Sequence, residues 1–187
     1  MPEKTTQPPQ SMGFTAPEKL SIQHDFSEFD CGYKPITNFA RNKALKSQTD
    51  GNCSVYVLCE TGSNIVRAFF TLSSAVLIRK ELPESTFKNS YKNIPATLLG
   101  QLAVDHRYQG QGLGLDLLRD AISIAIVSAK DIASRALLVD AIPEAAEFYK
   151  KHGFAPCLGP EENKFYISLN ASELSLLLDT APKTPPR

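Results

Sequence analysis

Apolar positions along the chain alternate between a period of two, typical of strands, and a period near 3.6, typical of helices. Strands are predicted at 20–24, 54–60, 65–76, 97–105, 136–141 and 164–169, and helices at 35–47, 112–130 and 144–152, with a small terminal helix at 171–179. A turn at 61–64 makes a hairpin of two of the strands. This order predicts an α/β (α+β) domain with a mixed central sheet of about six to seven strands flanked by helices.

The two ends of the 187-residue chain lack this periodicity. Residues 1–17 hold four prolines among polar side chains, and residues 180–187 have a similar composition. Segments of this kind bury too little apolar surface to offset the entropy of ordering them. We therefore expect disordered tails at 1–17 and 180–187 around a single domain spanning 18–179.

Composition and charge narrow the class of protein. Twenty basic residues balance twenty acidic ones, but residues 33–100 hold nine Lys/Arg against four acids, so the middle third is locally basic. None of the four cysteines forms a Cys-x-x-Cys pair, so we expect free thiols and no metal site. No signal peptide or apolar run of bilayer length is visible, so we expect a soluble cytoplasmic protein.

The most informative stretch is an apolar strand followed by a glycine-rich turn that opens a helix. Such a turn directs unpaired backbone N–H groups at a phosphate, and glycine lets the phosphate touch the backbone. A Walker A loop is excluded, because Leu115 and Asp116 follow Gly114 where Lys and Ser/Thr are needed. A dinucleotide-binding fingerprint is excluded, because Leu115 stands where its third glycine is required.

The remaining pattern, Gln-x-x-Gly-x-Gly from Gln109, resembles the pyrophosphate-binding signature of the GNAT superfamily of acetyl-CoA-dependent N-acetyltransferases. The resemblance implies a GNAT fold, acetyl-CoA as co-substrate and no metal. It also implies that the pantetheine arm bonds the main chain of Leu102, Ala103 and Val104. The backbone amides implied to hold the pyrophosphate are those of Gln109, Gly110, Gln111, Gly112, Leu113 and Gly114.

A second motif, Phe-Tyr followed by Gly-Phe, lies on the helix predicted at 144–152. We expect Phe148 to anchor this helix and contribute to the cofactor site, and Tyr149 to face a cleft. The GNAT resemblance implies that Tyr149 is the general acid that protonates the departing CoA thiolate. The alternative is a half-buried tyrosine whose hydroxyl bonds a backbone carbonyl. His152 is a weaker candidate, because a histidine in the last helical turn usually interacts with the terminal carbonyls.

No general base is apparent in the sequence. Gln101 occupies a position where some GNAT enzymes carry an acid. An α-amine, with a pKa of about 7.7–8.0 and lower in an aminoacyl ester, needs less help than lysine at about 10.4. The missing base therefore favours an α-amine as acceptor.

Within the superfamily, Phe-Asp-Cys-Gly at 29–32, joined to Leu-Leu-Gly-x-Leu-Ala-Val-Asp at 98–105, resembles the toxin acetyltransferases of bacterial type II toxin–antitoxin systems. That resemblance implies acetylation of the α-amine of aminoacyl-tRNA, inhibition of translation, a ribbon–helix–helix antitoxin and a homodimer. Seven basic residues of the middle third are candidates to contact tRNA phosphates: Arg41, Lys43, Lys46, Arg79, Lys80, Lys88 and Lys92.

Other functions stay open at this level. The balanced total charge, with Glu81 and Glu84 inside the basic connection, is compatible with an acetyltransferase for a small amine or a protein. The fold could also bind acetyl-CoA without catalysis, as a regulator. A solvated helix face and loop would explain the basic residues without any nucleic acid.

Overall fold

The structure is a computed structural model that describes residues 13–170. Its strands are β1 (Glu18–Lys19), β2 (Ser54–Cys59), β3 (Val66–Ile78), β4 (Asn93–Val104), β5 (Ala136–Asp140), β6 (Ala155–Pro156) and β7 (Lys164–Ser168). Its helices are α1 (Lys34–Asn42), α2 (Ala44–Thr49), α3 (Leu113–Ser128) and α4 (Ala146–Lys151). Short 3₁₀ turns lie at Arg79–Glu81, His106–Tyr108 and Pro143–Ala145.

The seven strands form one mixed sheet in the order β1-β2-β3-β4-β5-β7-β6. Neighbours are antiparallel except β4 and β5, which are parallel and are joined through α3. The mixed sheet flanked by helices confirms the predicted fold class. None of the helices described is both long and apolar enough to traverse a bilayer.

The strands bury opposite faces against different helices because successive side chains of a strand alternate in direction. Phe70 of β3 packs in one core with Leu117 of α3 and Tyr149 of α4. Its neighbour Phe69 packs in a second core with Ala40 of α1. Helices α3 and α4 therefore cover one face of the sheet, and α1 and α2 cover the other.

β4 and β5 pair along only part of their length. Pairing runs from Ala96 with Ala136 to Leu99 with Val139, after which β4 continues to Val104 and β5 ends at Asp140. A β-bulge lies at the point of separation, because the register with β3 skips Gly100. A β-carbon at Gly100 would lie 3.1 Å from Thr71 Oγ1. The bulge bends β4, and the edge of residues 100–104 that faces β5 has no strand partner.

Several boundaries differ from the sequence predictions. The first strand is Glu18–Lys19 rather than 20–24, because the Ser21 amide donates to His24 Nδ1 (2.9 Å) and closes a turn there. The helix predicted at 35–47 breaks at Lys43, whose φ of −130° is not helical. β4 begins at Asn93 inside the predicted connection, because Ile94 is buried and pairs with Leu77. The two-residue β6 was not predicted.

The predicted tails lie mostly beyond the described range. Residues 1–12, the C-terminal tail and the small helix predicted at 171–179 are all outside it. Residues 13–17, expected to belong to the first tail, instead run beside β2. The Thr15 amide donates to the Cys59 carbonyl at 3.0 Å, and Phe14 bridges to Glu60. Residues 13–17 are therefore packed against the sheet.

Candidate functional site

The glycine-rich turn forms a cradle of free backbone donors where α3 begins. Gly110 and Gly112 adopt left-handed φ values of 76° and 88°, and Gly112 is the N-cap of α3. Within residues 13–170, none of the five amide N–H groups from 110 to 114 donates a hydrogen bond. A β-carbon at Gly110 or Gly112 would meet no atom within 4 Å, so the cradle opens outward. Five free donors at the positive end of a 16-residue helix suit a diphosphate.

The side chain of Gln109 braces this cradle from behind. Its Nε2 donates to the carbonyl of Cys31 at 3.0 Å and to the carbonyl of Val104 at 2.9 Å. The amide of Gln109 is 3.5 Å from the carbonyl of His106. Gln109 therefore fixes the loop between β4 and the residues before α1, whereas the amides that follow it remain free.

Asp105, at the end of β4, is the centre of a buried charge cluster. It is fully buried, and its carboxylate accepts two hydrogen bonds from the Arg107 guanidinium at 2.8 and 2.9 Å. It also accepts the amides of Arg107 at 3.0 Å and Asp30 at 3.3 Å. Burial alone would raise the pKa of Asp105, but the hydrogen bonds outweigh it and hold the pKa at about 2. The ionised carboxylate thus ties residues 28–30 to the segment that leads into the glycine-rich turn.

Arg67 lies under the same cluster, with 5% of its side chain exposed. Its Nε donates to Glu60 at 2.9 Å and its Nη2 donates to Glu28 at 3.0 Å. Its Nη1 is 4.0 Å from Asp105 and is buried without a hydrogen-bond partner. Tyr108 donates its hydroxyl to Glu60, which closes the network beneath the loop. A buried guanidinium shared among acids is costly to disrupt, because each loss leaves a charge unpaired.

The free edge of β4 offers main-chain groups beside the cradle. The Asp105 amide points at β3, where it donates to the Arg67 carbonyl at 2.8 Å. The alternation of an antiparallel strand then directs the main-chain groups of Leu102 and Val104 away from β3, into the gap. Those of Ala103 face β3. Since Gln109 already occupies the Val104 carbonyl, both groups of Leu102 and the Val104 amide are available to an extended ligand.

Tyr149 is buried in the core that α3 and α4 share, with 5% of its surface exposed. Its ring meets the rings of Phe148 and Phe154 edge-on, at centroid distances of 5.3 and 5.4 Å. Burial raises the pKa of Tyr149 to about 12, so its hydroxyl stays protonated at neutral pH.

The Tyr149 hydroxyl makes no hydrogen bond in the described part of the chain, so the carbonyl-bonded alternative is not observed. It is also not sealed in the core. The fully buried polar side-chain atoms without a partner in residues 13–170 are Arg67 Nη1 and Gln101 Oε1. A protonated hydroxyl with a free donor is the state that a general acid requires.

The packing of Phe148 and Tyr149 is the reverse of the prediction, in which Phe148 anchored the helix and Tyr149 faced a cleft. Phe148 is only partly buried and packs edge-on against His152, at 4.8 Å between ring centroids, whereas Tyr149 anchors α4. Burial, with Lys151 and Arg119 nearby, lowers the pKa of His152, which caps the C-terminus of α4.

The seven basic candidates fall into two groups. Arg41, Lys43 and Lys46 line an open groove of about 670 Å³ between the α1–α2 junction and residues 20–27. Arg41 donates to the Phe29 carbonyl at 2.8 Å, and Lys46 pairs with Asp50 at 2.7 Å.

The second group lies in the connection from β3 to β4. Arg79 donates to the carbonyls of Pro83 and Glu84, at 3.3 and 2.7 Å. Of the seven candidates, four form neither a salt bridge nor a side-chain hydrogen bond within residues 13–170: Lys43, Lys80, Lys88 and Lys92.

No group of three or more His, Cys, Asp or Glu side chains among the described residues could hold a metal ion. The four cysteines are free thiols. The sequence did not single out Asp105, Arg67 or Arg107 as parts of the site. A charged residue gives no signal of burial until partners that are distant in the chain, such as Glu28 for both arginines, are known.

The chain is similar to acetyltransferases that act on tRNA. The acetyltransferase (GNAT) domain family matches residues 91–174. A tRNA-acetylating toxin of Mycobacterium tuberculosis is 34% identical over 140 residues, covering 75% of this chain and 83% of that protein. Among solved structures, the chain resembles that of AtaT complexed with acetyl-methionyl-tRNAfMet, with a TM-score of 0.81 and 30% sequence identity. The match covers 88% of this chain and 99% of that chain. A tyrosine-to-phenylalanine mutant of the toxin AtaT, bound to the C-terminus of the antitoxin AtaR and acetyl-CoA, is 28% identical with a TM-score of 0.74, covering 87% and 98%.

Replacing Gly112 by alanine should weaken the binding of coenzyme A by about 10-fold or more. A β-carbon would strain the left-handed backbone by about 1–2 kcal/mol and stand on the open face of the cradle. Isothermal titration measures the affinity. Gly62→Ala is the matched control, because Gly62 has a φ of 82° and the same open surroundings in a remote turn. Equal loss of affinity in both variants would contradict the cradle.

Asp105→Asn should lower the free energy of unfolding by about 3–5 kcal/mol, because it leaves Arg107 and Arg67 facing a neutral amide in a buried site. Urea denaturation measures the change. Asp116→Asn is the control, since Asp116 pairs with Arg119 at the surface and such pairs contribute about 1 kcal/mol or less. A loss no larger than that of the control would show that the cluster does not depend on Asp105.

The pH dependence of stability in wild type and in Asp105→Asn tests the pKa of Asp105. The folded-state pKa of Asp105 is depressed, so its stabilisation is fully present above about pH 4. It is lost as the pH falls through about 2. Wild-type stability should therefore fall more steeply than that of Asp105→Asn between these limits, in urea titrations at fixed pH. Parallel slopes would contradict the assigned pKa.

Proposed function

We propose that this chain, which belongs to the GNAT acetyltransferase family, is a toxin that transfers the acetyl group of acetyl-CoA to the α-amine of aminoacyl-tRNA and so inhibits translation. The observation that carries acetyl transfer is the row of five free N–H groups at the start of α3, beside the unpaired edge of β4. The similarity to a tRNA-acetylating toxin supports the acceptor.

The cradle and the β4 edge divide the binding of acetyl-CoA between them. The free amides from Gly110 to Gly114 hold the pyrophosphate, and the main chain of Leu102 and Val104 holds the pantetheine arm. Phe148, partly exposed beside Tyr149, packs against the same ligand. Main-chain donors suit a co-substrate that must be released after each turnover, because they bind it without a covalent bond or a metal.

Tyr149 acts as the general acid. The α-amine of the acceptor forms a bond to the thioester carbonyl carbon, and the carbon–sulfur bond breaks. Tyr149 donates its phenolic proton to the departing sulfur, the acceptor nitrogen loses a proton to water, and water restores the proton of Tyr149. Burial raises the pKa of Tyr149 to about 12, so its hydroxyl carries a proton at neutral pH that it can donate to the departing sulfur.

No carboxylate serves as general base, and an α-amine needs none. Gln101 follows the bulge where β4 leaves β5, and its buried Oε1 has no hydrogen-bond partner in the described range. A neutral amide oxygen can accept a hydrogen bond from an amine but cannot take its proton at neutral pH. The acceptor must therefore arrive as the free base, which an aminoacyl ester supplies at neutral pH because its amine has a low pKa.

The basic residues contact the phosphates of the tRNA. Lys43, Lys80, Lys88 and Lys92 carry charges that no acid of the described part neutralises, so their contribution is the largest. Arg41, Lys46 and Arg79 already make contacts within the chain and mainly shape the surface. Phosphate contacts of this kind are sequence-independent and weaken with salt.

The proposed toxin function also implies a second copy of the chain and an antitoxin as protein partners. We expect a cytoplasmic homodimer whose activity a ribbon–helix–helix antitoxin blocks. The support is the related toxin whose structure holds the C-terminus of its antitoxin together with acetyl-CoA.

Tyr149→Phe should lower kcat by about 10²–10⁴-fold while leaving acetyl-CoA affinity within about twofold, because it removes the proton donor and keeps the ring. Transfer of labelled acetyl to a pool of charged tRNAs and to a panel of free amines measures both rate and acceptor. Tyr56→Phe is the control, since it likewise removes one tyrosine hydroxyl, from a ring on β2 that stacks on Phe70.

Each other outcome of this assay names a different function. Label on small amines or proteins alone would refute the translation-blocking proposal and keep the acetyltransferase. Acetyl-CoA binding without transfer to any acceptor would identify a regulator instead.

The pH dependence should identify the amine. For an α-amine acceptor, kcat/KM should rise with pH to a plateau near the amine pKa, about 7–8, because only the free base attacks. Tyr149 should cause no decline up to pH 9, because its pKa is about 12. Single-turnover rates from pH 5.5 to 9 test this. A rate that keeps rising to pH 9 would point to a lysine-like amine.

A further inference from the structure

Tyr91 is the most exposed large hydrophobic side chain in the described part of the chain, with 88% of its surface accessible. It stands in the connection between β3 and β4, with Lys88 and Lys92 close to it in the chain. Neither lysine forms a salt bridge within residues 13–170. An aromatic ring in solvent between two uncompensated cations contributes nothing to the core.

The backbone that carries Tyr91 is held in an uncommon conformation. Phe87 has a left-handed φ of 47°, which is rare for a bulky residue, and Asn89 has a φ of 61°, which asparagine adopts more readily. Such strain persists only where the surrounding contacts determine it, and it concentrates at functional surfaces.

Those contacts come from Arg135, directly before β5, and from β7. The Arg135 guanidinium donates to the Ser90 hydroxyl and lies 4.8 Å from the centre of the Phe87 ring. Phe87 in turn meets Tyr166 of β7, at 6.3 Å between ring centroids. At the far end the Lys92 carbonyl accepts the Arg79 amide at 2.9 Å. The base of Tyr91 is therefore fixed while its ring is free.

We infer that Tyr91 is a stacking platform for an unpaired nucleotide of the tRNA acceptor end, with Lys88 and Lys92 holding the adjacent phosphates. The inference rests on the proposed function and adds the residue that distinguishes the single-stranded end from the helical stem. An aromatic face stacks on any base, and a fixed platform loses little entropy when it does so. A base inside a duplex is already stacked and cannot use it.

The position along β4 fits this assignment. From Asn93 to the bulge at Gly100, the strand covers about 23 Å at about 3.3 Å per residue. The acetyl group is transferred beyond the bulge, where β4 and β5 separate. The nucleotides nearer the stem, rather than the one that bears the amino acid, therefore reach Tyr91.

Tyr91→Ala should raise KM for charged tRNA by about 10-fold or more, and Tyr91→Trp should restore it, because base stacking requires an aromatic face. Val127→Ala is the matched control, since Val127 is an apolar side chain that is 61% exposed on α3. Failure of Tyr91→Trp to restore KM, or an equal effect of Val127→Ala, would overturn the platform.

The salt dependence of RNA affinity distinguishes the contribution of base stacking from that of the lysine charges. The slope of log affinity against log salt flattens by about 0.7 for each phosphate of a single strand that a lysine no longer neutralises. Lys88→Ala with Lys92→Ala should therefore flatten the slope, whereas Tyr91→Ala should lower affinity at every salt concentration and keep the slope. A flattened slope in Tyr91→Ala would assign the weaker binding to the lysines and overturn the role of the ring.

A binding assay without acetyl transfer keeps this inference separate from the proposed function. The probe is an uncharged RNA with a single-stranded CCA end, compared with the same sequence closed in a hairpin. Preference for the open end that disappears in Tyr91→Ala supports the platform even if no charged tRNA is acetylated. Acetylation of charged tRNA with equal binding by wild type and Tyr91→Ala would overturn it. Loss of self-association in Tyr91→Ala, with RNA binding intact, would assign the ring to a protein interface and also overturn it.

Discussion

The loss of pairing between β4 and β5 is the constraint on which the site depends. Two parallel strands would normally continue side by side and saturate each other's main-chain groups. Here the extra residue at Gly100 bends β4 after Leu99, and β5 ends soon afterwards. The backbone donors and acceptors on this edge of β4 therefore have no partner strand, and they lead towards the free amides at the start of α3. An extended ligand that ends in a diphosphate matches both features together.

The buried charge cluster holds this geometry in place. Asp105, directly after β4, accepts hydrogen bonds from Arg107. Arg67 donates hydrogen bonds to Glu60 and Glu28. The cost of burying these charges is offset only when each finds its partners, so the cluster enforces one arrangement of three chain segments. The glycines of the cradle have a backbone with wide conformational freedom, and the charge cluster beside them restricts the positions of the chain that flanks them.

Much of the fold was predictable because it depends on local patterns. Apolar periodicity located the long strands and α3, and the glycine spacing located the cradle. The bulge at Gly100, the break at Lys43 and the exchange of roles between Phe148 and Tyr149 were not predictable. The bulge and the burial of Tyr149 depend on contacts with residues far away in the chain, which periodicity does not encode. The burial of Tyr149 rather than Phe148 is set by how α4 rotates on the sheet, and one residue of rotation reverses the pair.

The Gln109 side chain bonds at once to the carbonyl that ends β4 and to the carbonyl of Cys31, just ahead of α1. One amide group thus connects the end of β4 and the glycine-rich turn with the segment ahead of α1, a helix on the opposite face of the sheet. A shift of either segment alone would break a hydrogen bond to this amide group. We therefore expect the two segments to move together.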